Sequence, residues 1–134
     1  MFIKDLAINI IPKALDAVET RQKIYSHNIA NYNTPGYKRK DVTFEQELRK
    51  AMGDSDEIKL KTNNSKHLKN IPSINEVNYK IIEDNSRSNR EDGNNVDIDV
   101  EMVKMMENTL QYNALTRLIN YRFSDYKTAI GGIR

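Results

Sequence analysis

The segment from about Asp97 to Ile130 constrains the fold most, because it places apolar side chains on two opposite faces of one predicted helix. Carboxylates near Asp97 complement the positive end of a helix dipole, and Gly131-Gly132 favours a helix end. The first apolar stripe consists of Val103, Met106, Leu110, Ala114, Leu118 and Tyr121. The second stripe consists of Met105, Tyr112, Leu115, Ile119, Phe123, Tyr126 and Ile130. At about 100° per residue the stripes lie roughly 180° apart, so one partner helix covers only one of them.

The N-terminal segment, from Phe2 to about Asn33, supplies that partner helix. Its apolar and small residues recur at steps of three, four and seven, namely Ile3, Leu6, Ile10, Ala14, Ala17 and Ile24. This spacing is typical of an amphipathic helix that pairs as in a coiled coil. Pro12 interrupts the pattern, and proline is tolerated best in the first turn of a helix. We therefore predict a firm helix from about Pro12 to Ala30, with a looser leader before it.

The remaining stripe of the C-terminal helix has no predicted cover within the chain. Only 38% of the residues are hydrophobic and 7% are aromatic, whereas globular domains usually carry about 45–50% apolar residues. We predict that neighbouring subunits cover the second stripe. The predicted assembly stripe consists of Met105, Tyr112, Leu115, Ile119, Phe123 and Tyr126.

The middle of the chain, from about Gly53 to Asn95, is rich in Asn, Ser and Lys and has no helical period. Short apolar pieces at Glu57–Leu60 and Val77–Ile82 are candidate strands, but Pro72 argues against a long sheet. The predicted fold is mainly α, with N- and C-terminal helices paired as a coiled-coil-like core. A loop-rich middle segment has room for one small β-hairpin. The predicted segments are 1–33 (N-terminal helix with its leader), 34–96 (turn motif and middle segment) and 97–134 (C-terminal helix).

The composition disfavours several classes of function. The chain has no cysteine, which excludes disulfides, thiol catalysis and Cys-ligated zinc. A net charge of +2 gives little electrostatic basis for binding nucleic acid. No run of about 18 apolar residues is present, so we predict no direct membrane insertion. The opening Met1-Phe2-Ile3-Lys4-Asp5 does not have the pattern of a cleaved signal peptide.

Catalytic, metal and cofactor sites are not predicted either. His27 and His67 lack the spacing of metal-ligand pairs. The acidic run from Asp92 to Glu101 suggests a calcium loop, but Gly93 comes second where an EF-hand needs glycine sixth. We interpret Asp92-Gly93-Asn94-Asn95 as a turn that leads into a capped helix. The sequence therefore predicts a protein that is not an enzyme and that needs no cofactor or metal.

One motif stands out at the end of the N-terminal helix. Its eight defining residues are Asn28, Ile29, Ala30 and Asn31, followed by Thr34, Pro35, Gly36 and Tyr37. Thr-Pro-Gly-Tyr fits a type II turn, with proline second and glycine third. Asn28 continues the apolar stripe of the helix, and a buried amide in such a position fixes helix register at some cost in stability.

This motif resembles the N-terminal signature of the bacterial flagellar rod and hook family, whose members carry Asn-Ile-Ala-Asn followed by Thr-Pro-Gly-Tyr. The chain is short and is most similar to the proximal rod subunits of that family. The alternative within the family is the sister proximal rod protein FlgC. Further similar positions are Arg21, Phe44–Leu48, Asp92–Asp97, Glu101, Asn108, Tyr112 and Leu115.

The resemblance implies a structural subunit that stacks helically into the drive shaft between motor and hook. It implies self-assembly and contacts with FlgC-like and neighbouring rod subunits, with a FliE-like adaptor at the rod base and with the flagellar type III export apparatus. It also implies export into the periplasmic rod without a cleaved signal. A Phe-x-x-x-hydrophobic export element is matched by Phe44 with Leu48, and also by Phe2 with Leu6.

Two alternatives remain open from the residues. The chain could instead be a soluble helical adaptor or chaperone of a secretion system, in which an exposed stripe captures a partner helix. Phe44 and Leu48 could equally cover a local apolar patch beside the first helix, because residues four apart share one helical face.

Overall fold

The computed structural model describes residues 6–52 and 76–132 and confirms a mainly helical fold. The elements are α1 (Leu6–Ala30), β1 (Lys40–Thr43), α2 (Glu45–Met52), β2 (Lys80–Glu83) and α3 (Ile98–Gly131). The two long helices, α1 and α3, pack against each other, as the two-helix prediction required. No helix in the described part of the chain is long and apolar enough to cross a membrane.

Helix α1 begins earlier than the sequence predicted. It starts at Leu6 and runs through Pro12 without a break, so the predicted start at Pro12 is wrong. Proline removes one backbone hydrogen bond from a helix interior, but Pro12 is exposed while Ile11 and Ala14 on either side of it are buried. Burial of these neighbours holds both halves of the helix against the rest of the subunit.

Helix α3 begins and ends where the sequence predicted. The Asp97 side chain caps its start by accepting hydrogen bonds from the backbone N–H groups of Asp99 (3.0 Å) and Val100 (3.3 Å). At the other end the Gly132 N–H donates to the Thr128 carbonyl at 2.9 Å. The turn before α3 is therefore a helix start, as interpreted from Asp92-Gly93-Asn94-Asn95.

The small sheet consists of two antiparallel strands in the register Lys40↔Glu83 to Thr43↔Lys80. It is not a tight hairpin, because residues 44–79 separate the strands along the chain. Strand β2 overlaps the candidate at Val77–Ile82. The sequence did not predict strand β1, because three of its four residues are polar. In the structure only Val42 of this strand is buried. The other candidate, Glu57–Leu60, lies outside the described residues.

The apolar core lies where α1, β1, α2 and the approach to β2 meet. The buried cluster consists of Ala14, Ala17, Val42, Phe44 and Val77. Leu48 and Leu115 pack against it from α2 and α3. Phe44 and Leu48 thus pack inside the subunit, and the short helix that joins them, α2, was missed by the sequence analysis. Because α1 contributes alanines, neighbouring elements can approach its backbone closely.

Candidate assembly interface

Asn28 lies at the junction of α1, β1 and α3. It is fully buried, and its Nδ2 donates to Glu101 Oε2 and to the Lys40 carbonyl, each at 2.8 Å. Its Oδ1 accepts from the Tyr37 hydroxyl and from the Lys40 N–H, each at 3.0 Å. One amide therefore ties the end of α1 to the turn, the strand and the second helix. The predicted burial of Asn28 is confirmed.

Glu101 and Arg39 form the charged half of this junction. Glu101 is fully buried, and its Oε1 accepts from Arg39 Nε at 2.8 Å. Arg39 also bonds Asp41 at 2.9 Å and lies 3.5 Å from Asp84. Burial alone would lower the pKa of Arg39, but hydrogen bonds and charge from Glu101 and Asp41 outweigh it and raise that pKa. The guanidinium therefore stays charged, and the buried Glu101 has a permanent partner.

The pKa of Asp41 is also set by burial on one side and by charged and hydrogen-bonding partners on the other, with the signs reversed. Burial alone would raise its pKa, but the Val42 N–H, the Arg39 guanidinium and the charge of Lys104 together lower it. Its carboxylate is thus held ionised between β1 and α3. The sequence placed Glu101 in an acidic run near a helix start and among the positions that resemble the family, but no local pattern signalled that it is buried.

The Thr34–Tyr37 turn has the predicted geometry. Gly36 has φ 71°, and the Tyr37 N–H donates to the Thr34 carbonyl at 3.2 Å. Positive φ at the third position, after proline, defines a type II turn. The Gly36 N–H points away from this turn and donates to the Asp92 carbonyl at 2.7 Å.

Asn94 makes hydrogen bonds to the residues that follow α1. It is fully buried, and its Nδ2 contacts the carbonyls of Asn31 (2.9 Å), Tyr32 (3.0 Å) and Thr34 (2.9 Å). These carbonyls follow the end of α1, where helical hydrogen bonding stops and the groups need other donors. Arg90 adds to this closure by lying 4.5 Å above the ring of Tyr32. The two sequence motifs, which looked independent, therefore form one polar unit.

Further along the seam, Arg21 and Asn108 connect the helices. Arg21 is buried and donates to Gln111 of α3 (3.0 Å), to the Val42 carbonyl (3.2 Å) and to Glu45 (2.6 Å). Asn108 Nδ2 donates to the Val18 carbonyl at 2.9 Å. The seam between α1 and α3 is thus largely polar, whereas a coiled-coil seam is apolar.

The residues of the predicted assembly stripe divide in the structure between covered and exposed positions. Leu115 packs on the core, Met105 accepts a contact from Ser26 of α1 at 3.8 Å, and Ile119 is half-buried. The uncovered residues form the first stripe, called here the outer face of α3: Val103, Met106, Leu110, Ala114, Leu118 and Tyr121. Leu110 and Tyr121 are 69% and 70% exposed. The other predicted stripe residues, Tyr112, Phe123 and Tyr126, are also exposed.

A pair of helices that leaves one apolar face uncovered is typical of a subunit that assembles with others. Comparison with known proteins shows the family to which the chain belongs. Residues 8–38 match the family described as flagella basal body rod protein. The chain is 33% identical over 125 residues to the flagellar basal body rod protein FlgB of Bacillus subtilis, covering 93% of both chains. It is 33% identical over 115 residues to FlgB of Escherichia coli, covering 81% of this chain and 80% of the relative.

A third relative, FlgB of Cereibacter sphaeroides, is 35% identical over 127 residues, which cover 93% of this chain and 94% of the relative. The chain belongs to the bacterial flagellar rod proteins. Within them it belongs to the FlgB family, and it is a structural, non-enzymatic subunit of the proximal rod of the flagellar basal body. These relatives favour that identity over FlgC and over a secretion adaptor or chaperone.

Replacing Glu101 tests the buried junction. Glu101→Gln places an amide between the Arg39 guanidinium and Asn28 Nδ2, so one donor loses its acceptor, while Arg39 keeps Asp41 and Asp84 as partners. We expect the free energy of unfolding to fall by about 1–3 kcal/mol, the cost of a buried donor without an acceptor. Urea unfolding followed by circular dichroism measures this loss. Glu107→Gln, at an exposed position of the same helix, is the control; equal midpoints for the two variants would contradict a structural role for Glu101.

Replacing Gly36 tests the turn. A Cβ at Gly36 meets nothing within 4 Å, so a substitution is opposed only by the positive φ. We expect Gly36→Val to destabilise by roughly 1–2 kcal/mol and Gly36→Asn by less, because Asn tolerates left-handed backbone. Thermal unfolding measures both. Gly131→Ala is the control, since its Cβ also meets nothing within 4 Å and its φ is not positive; identical behaviour of Val and Asn at position 36 would refute the turn geometry.

Proposed function

We propose that this rod subunit stacks helically with other rod subunits into the drive shaft that carries torque from motor to hook, and that the outer face of α3 is its main contact. The exposed apolar row on that face carries the proposal. Met106, Leu110 and Tyr121 are each at least 66% exposed on one side of a 34-residue helix. Contiguous apolar surface of this kind marks a protein contact.

Torque transmission requires a subunit whose two helices do not slide. The Asn28–Glu101 contact at one end of the seam and the Arg21–Gln111 contact further along it oppose sliding, because a shift of either helix leaves buried polar groups unpaired. A polar seam also costs stability compared with an apolar one. Rigidity of register, more than stability of the isolated chain, is therefore what this seam supplies to a shaft.

The proposed neighbours are FlgC-like rod subunits, a FliE-like adaptor at the rod base and, during delivery, the flagellar type III export apparatus. Membership of the FlgB family supports this set and supports a periplasmic rod location reached without a cleaved signal. The end of α3 offers further contact surface, because Phe123 and Ile130 are 57% and 74% exposed.

A charge on the outer face tests the assembly proposal. Leu110→Asp introduces a carboxylate at a 69% exposed position. The free energy of unfolding of the isolated subunit should therefore change by no more than about 0.5 kcal/mol. In the assembled rod an unpaired buried charge is costly, and we expect loss of the protein from isolated basal bodies and loss of motility. Asn85→Asp, in an exposed loop, is the charge control. Normal motility of the Leu110→Asp strain would remove the outer face from the contact.

Phe44 with Leu48 remains the proposed export element. Because Phe44 is buried in the folded subunit, recognition of this pair requires that the chain be presented unfolded. The other candidate, Phe2 with Leu6, lies partly outside the described residues.

Phe44→Ala separates export from packing. Both functions predict a destabilised fold, by about 3–5 kcal/mol, so the periplasmic amount of protein is the readout, in a strain lacking downstream rod proteins. Val42→Ala weakens the same core cluster without touching the export pair. Export through Phe44 predicts cytoplasmic accumulation for Phe44→Ala alone. Equal periplasmic amounts of the two variants would mean that Phe44 contributes to packing and not to export.

A further inference from the structure

Two exposed methionines lie next to each other at the start of the outer face of α3. Met106 is 66% exposed, and Met102, one turn before it, is 47% exposed. Side chains four residues apart are neighbours on a helix, so the two thioethers form one patch beside Val103. The proposed contact surface is therefore built partly from sulfur at this end.

Two other methionines of the described residues differ from this pair. Met105 is partly buried, and its sulfur contacts the Ser26 hydroxyl of α1 at 3.8 Å. Met52, at the end of α2, is 62% exposed. Its helix packs on the core cluster, so Met52 lies outside the outer face of α3. It thus matches Met106 in exposure but not in location.

An exposed thioether is open to oxidation by a peroxide. A sulfur lone pair attacks one oxygen of hydrogen peroxide, the O–O bond breaks and an S–O bond forms. The hydroxide that leaves takes the proton from the sulfur-bound oxygen and becomes water. The sulfur loses two electrons and the peroxide gains them. The product, methionine sulfoxide, is a polar side chain in place of a flexible apolar one, and it disrupts contacts that contain methionine.

We propose that Met106, together with Met102, is an oxidation site that controls incorporation of the subunit into the rod. Oxidation of the free subunit places sulfoxide oxygens on the outer face of α3 and blocks its contact, whereas a formed contact shields the sulfurs from the oxidant. This proposal rests on the proposed assembly through the outer face and adds a regulation of that surface. Its agent is a peroxide that meets the subunit before incorporation.

The surroundings of Met106 make a sulfoxide unfavourable in a closed contact. Its neighbours along the outer face, Val103 and Leu110, have apolar side chains that offer no hydrogen-bond donor to the new oxygen. An acceptor that is buried without a donor should weaken the contact by about tenfold or more. In the free subunit water supplies the donor, so oxidation should leave the fold of the isolated chain intact.

Oxidation of isolated basal bodies tests whether the contact shields Met106. Basal bodies are treated with hydrogen peroxide after addition of isotope-labelled free subunit, which reports the oxidant in the same sample. Mass spectrometry of peptides then gives the rate at which each methionine gains an oxygen. We expect Met106 to react about tenfold more slowly in the basal body than in the free subunit, because its sulfur is covered there. Equal rates would overturn the proposal.

Competition for incorporation tests the control of assembly. Cells make the natural protein and the double variant Met102→Leu, Met106→Leu in equal amounts, and a peroxide pulse is given while new basal bodies form. Leucine stays apolar under peroxide, so the pulse should raise the ratio of variant to natural protein in basal bodies by about tenfold. The ratio without peroxide is the reference, which removes any effect of the substitutions themselves. An unchanged ratio would overturn the proposal.

Met52→Leu is the matched control in the same competition. Met52 is about as exposed as Met106 but lies outside the outer face, so its ratio to the natural protein should not respond to the pulse. An equal response of both variants would mean that oxidation acts elsewhere and would overturn the role of the outer face. Absence of the natural protein from basal bodies without peroxide would instead contradict the proposed assembly itself, which keeps the two failures separate.

Discussion

The buried contact between Asn28 and Glu101 is the constraint on which the rest of the subunit depends. Both residues are fully buried, and each has a second partner on β1 or beside it, Lys40 for the amide and Arg39 for the carboxylate. A shift of α1 along α3 by one turn would break the contact between them and leave a donor of Asn28 and an acceptor of Glu101 without a partner in a region of low dielectric. The helix register, the position of β1 and the start of α3 are therefore set together.

The parts of this fold that follow local rules were predictable from sequence. The spacing of apolar residues located the two long helices, and Thr-Pro-Gly-Tyr located a turn that needs positive φ at Gly36. The parts set by partners distant in sequence were not. Strand β1 is polar and is recognisable only through its pairing with β2, and the burial of Glu101 depends on Arg39, which lies 62 residues away.

The orientation of the two stripes of α3 has the same origin. Both stripes of α3 are equally apolar by sequence, so periodicity cannot decide which of them faces α1. The decision comes from polar residues on the side of α3 that carries the second stripe, because Glu101 lies four residues before Met105 and Asn108 four before Tyr112. Glu101, Asn108 and Gln111 must meet Asn28, Val18 and Arg21, and these pairings turn Leu115 inward and the Leu110 side outward.

The two sides of α3 have different roles. The polar seam fixes the register of α1 and α3, and the apolar outer face offers contact surface to other subunits. Buried polar pairs contribute little net stability but penalise any other register, whereas apolar burial is strong and tolerates many partners. In this chain the directional contacts lie inside the subunit and the apolar surface lies outside it. The outer face alone would allow neighbouring helices to slide past one another, so a shaft needs a directional contact between copies as well.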